Sequence, residues 1–582
     1  MTTETEKLIT KIIDDAEEIV APVDHDATPG GAKGKVSQVD CLLDLADKAE
    51  LFHTPDNEAF ADIIVDGHRE TWAVNSQGFK NWLRHSYFNA TGNAPNQNAM
   101  TEACRTLEAK AQFDSPTRTV HIRVAEFGGR LYLDLGNDAW QVVEIDALGW
   151  RLVDDPPVRF RRTKGMRPLL PPQPGGSIDA LRPFLNVDSD NAFILVVSWI
   201  LAALRSRGPY PVMVVAGEQG TAKSTFSAIV RELVDPNGAP LRTVPRSERD
   251  AYIAACNGHV LAFDNVSHLS QGISDTFCQL STGGAFATRT LYTDSEESLF
   301  SAARPSILNG IVDFVDQPDL TERSIFLKLK PIPDELRRPK EELDADFAKA
   351  CPQILGALLD AMVEGLKRLP EFRLEQYPRM ADFAKWAAAC ETAFRPAGTF
   401  IAAYEQNRKG ANEQVLDVDS VADAVRTLID RAGQWHGTAS QLLAALSEIV
   451  GERTANSRSW PSTAQGLSGR LARATPVLRS VGIHIENRRE GKDRARMIHI
   501  SKAADEVVRP PSDLRSAVME AGRVDATTGG LRREAANDSG LAADDQVAGS
   551  HVGRPTNPLV SKGETENADE ADEADDLIQA VL

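Results

Sequence analysis

The chain has 582 residues, ordinary apolar and charged fractions and a formal net charge of -20, a length that suits about three or four domains. Its six cysteines form no C-x-x-C pair, so neither a disulfide framework nor a zinc site is suggested and a cytoplasmic setting fits. The longest apolar stretch, Phe193 to Leu204, is too short to span a bilayer, and the polar, acidic start is unlike a signal peptide, so no membrane association is expected.

Residues 1–58 read as a flexible acidic N-terminus with one helix at Leu8–Ile19 and a linker over Gly30–Lys35. Residues 60–170 read as an α+β module of unassigned role that ends in a basic and proline-rich linker. Helical periodicity covers Ser76–Tyr87 and Asn96–Gln112. Four β-rich runs follow, Thr119–Glu126, Arg130–Leu135, Trp140–Ile145 and Trp150–Val153, separated by Gly-rich turns. That is the pattern of an antiparallel meander. No carboxylate triad or zinc-ligand set stands out in 60–158, so no primase chemistry is assigned. Pro168–Pro174 reads as a hinge.

Residues 177–332 alternate helix and strand. Strands are expected at Val212–Ala216, His259–Phe263, Pro305–Leu308 and Ile325–Leu329, each short and apolar and each ending beside polar residues. Such an α/β sheet carries its site at the strand C-termini. Residues 341–432 read as helical, with proline breaks at Pro352, Pro370, Pro378 and Pro396. A small separate domain follows, from about Asp417 or residue 433 to Lys502. The acidic end, 503–582, has no apolar period and is expected to be disordered, with a short helix hinted only at Asp576–Leu582.

Gly217, Glu218, Gln219, Gly220, Thr221, Ala222, Lys223 and Ser224 follow the first of those strands, and Thr225 continues into an amphipathic helix. This is the Walker A pattern in its strand–turn–helix context. Small residues let backbone N–H groups wrap a phosphate, Lys223 reaches the β- and γ-phosphates of ATP, and the Ser224 hydroxyl ligates Mg²⁺. Ala222 stands where the second glycine belongs; Gly220 is expected to supply the flexible point. Asp264 ends the second strand, where a Walker B carboxylate joins the metal shell; capping the next helix is the alternative. Asn309 ends the third strand and could orient the attacking water, or be a turn residue. Arg323 opens the fourth strand, where it could serve a neighbouring subunit's nucleotide as a finger, or pair with Asp319 or Glu322. Arg304 is a second finger candidate.

These features, taken in order, resemble the superfamily 3 helicases, an AAA+ branch that includes poxvirus, phage and plasmid replication helicases. The resemblance covers about residues 190–330. It implies a multidomain protein around an α/β P-loop core, ATP and Mg²⁺ as cofactors, and a homo-oligomeric ring, expected to be a hexamer. It also implies that Leu280–Tyr292 is a B′ region whose hairpin, with Arg289, meets single-stranded DNA in the ring pore; Arg289 could also be plain surface charge. Asn265 stands where many members carry an acidic base, and an amide cannot take a proton from water.

Residues 453–502 hold 11 Lys/Arg against three acids, whereas residues 1–60 hold 14 acids and five lysines and residues 503–582 hold 17 acids and seven bases. The net charge therefore hides a basic domain. A helix from about Trp435 to Val450, a second over Ala464–Thr475, and β-like runs at Gly482–Asn487 and Arg494–Ile500 resemble a C-terminal winged helix. Arg470, Arg473 and Arg479 would lie on its reading helix, and Arg488, Arg489, Lys492, Arg494 and Arg496 on its wing. Clustered bases neutralise phosphates of duplex or single-stranded DNA; arginines facing solvent or the acidic tail are the alternative. The sequence thus points to an ATP-dependent DNA helicase or translocase of mobile-element replication, acting with replication-protein partners. A nucleotide-gated loader or regulator with little hydrolysis, and an ATPase acting on protein partners, are the other readings.

Overall fold

The computed structural model describes residues 37–289, 297–301, 303–311, 314–315, 317–457, 460–490 and 495–502. The helix expected at Leu8–Ile19, the acidic tail, Thr290 to Tyr292, Lys492 and Arg494 lie outside them. The chain divides into two compact units, residues 1–119 and 120–582, of mixed α/β content.

In the first unit, α1 (Gln38–Ala46) leads into an antiparallel sheet of β1 (Glu50–His53), β2 (Ala59–Val65) and β3 (His68–Ala73), then α2 (Gln77–Thr91) and α3 (Gln97–Asp114). Ser76 and Asn96 cap the two long helices by accepting from Phe79 N and Ala99 N, satisfying donors that a helix start leaves open. Helix α1 and strand β1 fall in the stretch expected to be flexible. Their flanks are acidic, but Leu42, Ala46 and Phe52 are buried, and burial rather than local pattern holds them.

The expected meander exists as β4 (Val124–Phe127), β5 (Arg130–Asp134), β6 (Val142–Asp146) and β7 (Gly149–Val153), antiparallel in that order. It does not belong with the helices before it, as the 60–170 module required. It sits in the second unit, where Leu131, Leu133, Val143 and Ile145 share one core with the central sheet. Arg123 fixes it there. Its buried guanidinium donates to Asp235 Oδ1 (3.0 Å), Asp134 O (2.9 Å) and Arg167 O (2.8 Å). Asp235 in turn accepts from His259 N (2.9 Å) and Val260 N (3.1 Å).

The central sheet is parallel. Helix α4 (Asp190–Ala203) is buried from Phe193 to Ala203. Then come β8 (Val212–Gly217), α5 (Lys223–Glu232), α6 (Glu248–Cys256), β9 (Leu261–Val266) and α7 (Gln271–Thr282). A hairpin of β10 (Ala285–Arg289) and β11 (Glu297–Ser301) leaves the sheet before β12 (Ser306–Gly310), the short α8 (Pro318–Thr321) and β13 (Ser324–Leu329). The strand order is β9-β12-β8-β13. Val212 to Val215 are all buried, as expected where both faces of a parallel sheet are covered. Asn407 closes the β13 edge, accepting from Phe326 N (3.0 Å) and donating to Phe326 O (2.6 Å).

Helices α9 (Lys340–Arg368), α10 (Ala381–Cys390) and α11 (Thr399–Val418) cover this core. Pro352, expected to break a helix, lies inside α9. A mid-helix proline costs about 3 kcal/mol, and the buried face of this 29-residue helix offsets it. The proline segment before the sheet is not a hinge either. Leu169 N donates to Leu135 O (2.7 Å) and Gln173 N to Pro352 O (2.8 Å), so the segment is strapped across α9. Gly356 permits the crossing, because a Cβ there would meet Gln173 O at 1.8 Å.

The last part comprises α12 (Ser420–Ala432), β14 (Gln434–Gly437), α13 (Ala439–Ala455), α14 (Ala464–Ser480), β15 (Ile483–Glu490) and β16 (Ala495–Lys502), with sheet order β14-β16-β15. Val421, Val425 and Ile429 of α12 pack in this core, which fits the start near Asp417 and not the one at residue 433. One further boundary differs from expectation. Trp435 to Gly437 form a strand, not a helix start; Thr438 is the N-cap, with a capping box to Gln441.

Candidate functional site

The P-loop residues stand at the C-terminal end of β8, between β12 and β13. Gly217 is required there, since a Cβ would lie 2.8 Å from Thr221 Oγ1 and 2.9 Å from Leu329 O. Gly220 has φ 84° and Ala222 has φ 55°. Gly220 therefore does not relieve Ala222 of the left-handed conformation, as expected; both adopt it, and for alanine that costs on the order of 1 kcal/mol. Lys223 Nζ donates to Gly217 O (2.8 Å) and Glu218 O (2.7 Å). Burial pulls its ammonium below the usual lysine range, and the charge of Asp264 opposes that shift.

Three strand ends converge on this loop. Ser224 Oγ donates to Asp264 Oδ2 at 2.6 Å. Strand β12 lies between β8 and β9, so Asn309 reaches both neighbours. Its Nδ2 donates to Asp264 Oδ1 (3.3 Å) and Lys223 O (3.4 Å), while its Oδ1 accepts from Ser227 Oγ (2.6 Å). Asn265 is exposed with φ 57°, a conformation asparagine tolerates, and its N–H donates to Asp264 Oδ1 (2.9 Å). Glu218 and Gln219 are exposed on the loop, Thr221 is buried beneath it and Thr225 follows in the first turn of α5.

Arg323 lies elsewhere. Register pairs Val212 with Ser324 and Gly217 with Leu329, so Arg323 is about six strand residues, roughly 20 Å, from the loop of its own chain. It is 17% exposed and ion-paired with Asp319. Arg379, 41% exposed, also reaches Asp319 (2.7 Å) and pairs with Glu322; sequence reasoning did not single it out. Arg304 is not available as a finger, because it donates to the carbonyls of Ala255 (2.9 Å) and Gly258 (3.1 Å). Arg337 was missed too. Its guanidinium is 3.1 Å from where a Cβ on Gly220 would stand, and no local pattern marks it.

The basic residues fall into unequal groups. Arg289 ends β10 opposite Glu297. Arg470 pairs with Asp419 (3.6 Å), whereas Arg473 and Arg479 are exposed on α14. On the hairpin, Arg488 Nε donates to Glu486 (2.9 Å). Arg489 and Arg496 are exposed and directly opposite one another, an arrangement of like charges that destabilises a hairpin by itself. Among the described residues no group of three or more His, Cys, Asp or Glu could hold a metal ion, and no helix is long and apolar enough to cross a membrane.

Residues 178–409 match the family of actinomycete integrative conjugative element replication proteins, and residues 421–516 match the C-terminal domain of that replication protein, RepA. No curated protein matches the chain. Among solved structures it is similar to the A-form apo structure of the NrS-1 C-terminal region, at 11% identity and TM-score 0.36 over 79% of this chain and 98% of that one. Another apo structure of the same region gives 12% identity and TM-score 0.37 over 81% and 100%.

Proposed function

On the premise that this chain is a replication protein of a mobile element, we propose that it is an ATP-dependent DNA motor. In this reading, residues 177–332 are an AAA+ P-loop ATPase of the superfamily 3 kind, working in a homo-oligomeric ring, and the C-terminal part is a winged helix on DNA. The observation that carries it is the convergence of Lys223, Ser224, Asp264 and Asn309 at one end of a parallel sheet. Mg²⁺ beside a nucleotide keeps several waters and takes one or two protein oxygens besides the phosphates; the Ser224 hydroxyl and Asp264 carboxylate, 2.6 Å apart, suit that role. When bound, the ion neutralises charge on the phosphates. Lys223 exchanges the loop carbonyls for phosphate oxygens, Asn309 orients the water, and Arg323 serves the nucleotide of a neighbouring copy.

Two features support DNA as the partner. Helix α7 and the β10–β11 hairpin lie in the chain between the strand of Asp264 and the strand of Asn309, so a contact on the hairpin would be linked to the nucleotide's surroundings. Helix, strand, two helices and a hairpin is the winged-helix order, with Arg489 and Arg496 paired on the wing. Steady-state ATP hydrolysis with and without single-stranded DNA tests the reading. Stimulated turnover is expected. Asn265 favours a second reading, a nucleotide-gated loader, which tight ATP binding without turnover would select. Turnover that ignores DNA would point to protein partners.

A further inference from the structure

The proposed function leaves the first unit without a role. From Thr71 to Thr101 that unit carries no Asp or Glu, in a chain that has 84 of them. One longer acid-free run exists, residues 453–485, and it lies in the basic C-terminal part. Helix α2 occupies the middle of the first-unit run. Its buried residues are Phe79, Leu83 and Tyr87, at the i, i+4, i+8 spacing of one face. The opposite face holds Gln77, Asn81, Arg84, His85, Phe88 and Asn89, all exposed. Phe88 stands near the middle of it and is 54% exposed. Gln77 donates to Asn81 Oδ1 (2.7 Å), and Asn89 Nδ2 lies 3.3 Å from His85 Nε2, so the polar groups of this face hold one another. Arg105 pairs with Glu102 and Arg118 with Glu50. Arg84, among the described residues, has no carboxylate partner.

We propose that the exposed face of α2 reads the sequence of duplex DNA, as a surface distinct from the C-terminal basic part. This goes beyond the motor reading, because it needs no nucleotide. A helix with its side chains is about 10–12 Å across, and the major groove of B-DNA, about 12 Å wide, admits one. The face carries the chemistry that this groove displays. Asparagine and glutamine amides match the paired donor and acceptor of adenine, the arginine fork matches the two acceptors of guanine, and an apolar ring meets the thymine methyl. Arg84, with the partly exposed Lys80 beside it, supplies positive charge where no carboxylate of the helix repels a phosphate. A protein partner would call for a different face. The centre of a protein interface is apolar and depleted in charge, whereas here one aromatic ring is set among five polar side chains. Ser76 and the left-handed Gly92 close the two ends of α2, so the face is presented on a rigid element.

The test is selection by the full chain, without nucleotide, from a pool of duplexes with a randomised centre. The wild type should enrich one sequence and bind it about a hundredfold or more tighter than a scrambled duplex of the same composition. Asn81→Ala and Arg84→Ala should each lower that ratio about tenfold or more. Both side chains are exposed, so the fold should survive. Arg84→Lys keeps the charge and loses the fork; it should hold its affinity for the scrambled duplex and still lose discrimination. A wild type that enriches no sequence, or that prefers the single strand of the enriched sequence, would overturn the proposal. So would an Arg84→Lys variant that discriminates like the wild type. If discrimination survives all three helix variants and disappears in Arg489→Ala, the reading lies in the C-terminal part and the proposal falls. None of these outcomes involves ATP, so the motor reading stands or falls separately.

Discussion

The phosphate loop and the C-terminal hairpin are both charged sites, built in opposite ways. At the loop each side chain is held by another: Ser224 by Asp264, Asp264 by Asn309, Asn309 by Ser227. On the hairpin Arg489 and Arg496 are exposed and face each other across the strands. A hydrogen-bonded knot works only when whole, because each member positions the next. A field of exposed charges is a sum, and removing one member removes a fraction. Single substitutions should therefore abolish function at the loop and only grade it at the hairpin.

The largest expected effect is at Lys223. Lys223→Ala should reduce ATP hydrolysis to background in a folded protein, because among the described residues its ammonium bonds only the loop's own carbonyls and Thr221 and, on the proposed reading, exchanges those carbonyls for phosphate oxygens. Asp264→Asn should retain part of the nucleotide affinity and lose Mg²⁺-dependent turnover. A folded Lys223→Ala variant with normal turnover would remove the loop from the comparison. Next is Arg323, which lies too far from its own loop to act there and, on the proposed reading, serves a neighbour's nucleotide. A finger contributes about 10³-fold or more to turnover. Mixtures of Arg323→Ala and Lys223→Ala protomers should then exceed the summed activity of the two variants alone. If no mixture does so, Arg323 is a structural partner of Asp319, and Arg379 is the residue to substitute next.

The two regions were also unequally legible in sequence. The loop strand, the Asp264 strand and the Asn309 strand announce themselves because a parallel sheet buries both faces, which leaves short apolar runs ending in polar residues. The hairpin arginines are visible as composition, but which of them oppose each other depends on register. Gln434 to Gly437 form a strand only because β16 offers them an edge, and four residues carry no period of their own. Pro352 inside α9 and the split at residue 119 are settled by burial, which overrides local breakers. Arg337 over Gly220 joins residues more than a hundred positions apart. Arg304 shows the reverse error: a charged residue before a strand looks functional, yet its guanidinium is used by backbone carbonyls.

The knot at the loop also has a foundation that can be titrated. His259, two residues before the Asp264 strand, is buried, and burial together with Arg304 lowers its pKa to about 4. An unfolded histidine titrates near 6.5. Between those values the unfolded chain binds the extra proton, so stability is fully present above about pH 6.5 and falls as pH drops toward 4. The loss from this group is about 3 kcal/mol at most. His259→Gln should shrink the drop in thermal midpoint between pH 7 and pH 4.5. It should not erase it, because burial also lowers His121 to about 4. An identical pH profile in the variant would mean that His259 becomes protonated without unfolding the sheet.

The smallest effects belong to the hairpin, and they are the ones that distinguish a sum from a knot. On duplex DNA each neutralised phosphate contributes about -0.9 to the slope of log K against log[salt]. Arg489 and Arg496 face each other next to the last pair before the strands connect, so a phosphate between them would relieve their repulsion. Arg489→Ala should flatten the slope by about one unit, and the double substitution with Arg496→Ala by about two. Arg488→Ala should do less, because Glu486 already holds its guanidinium. Removing residues 503–582, with 17 acids against seven bases, should tighten binding if that segment competes for the same surface. Fluorescence anisotropy across a salt series reads all four variants. Equal effects of Arg488 and Arg489 would show that the salt bridge opens on binding. A slope that none of them changes would move the hairpin from DNA to a protein partner, and with it the claim that the two charged sites of this chain obey different arithmetic.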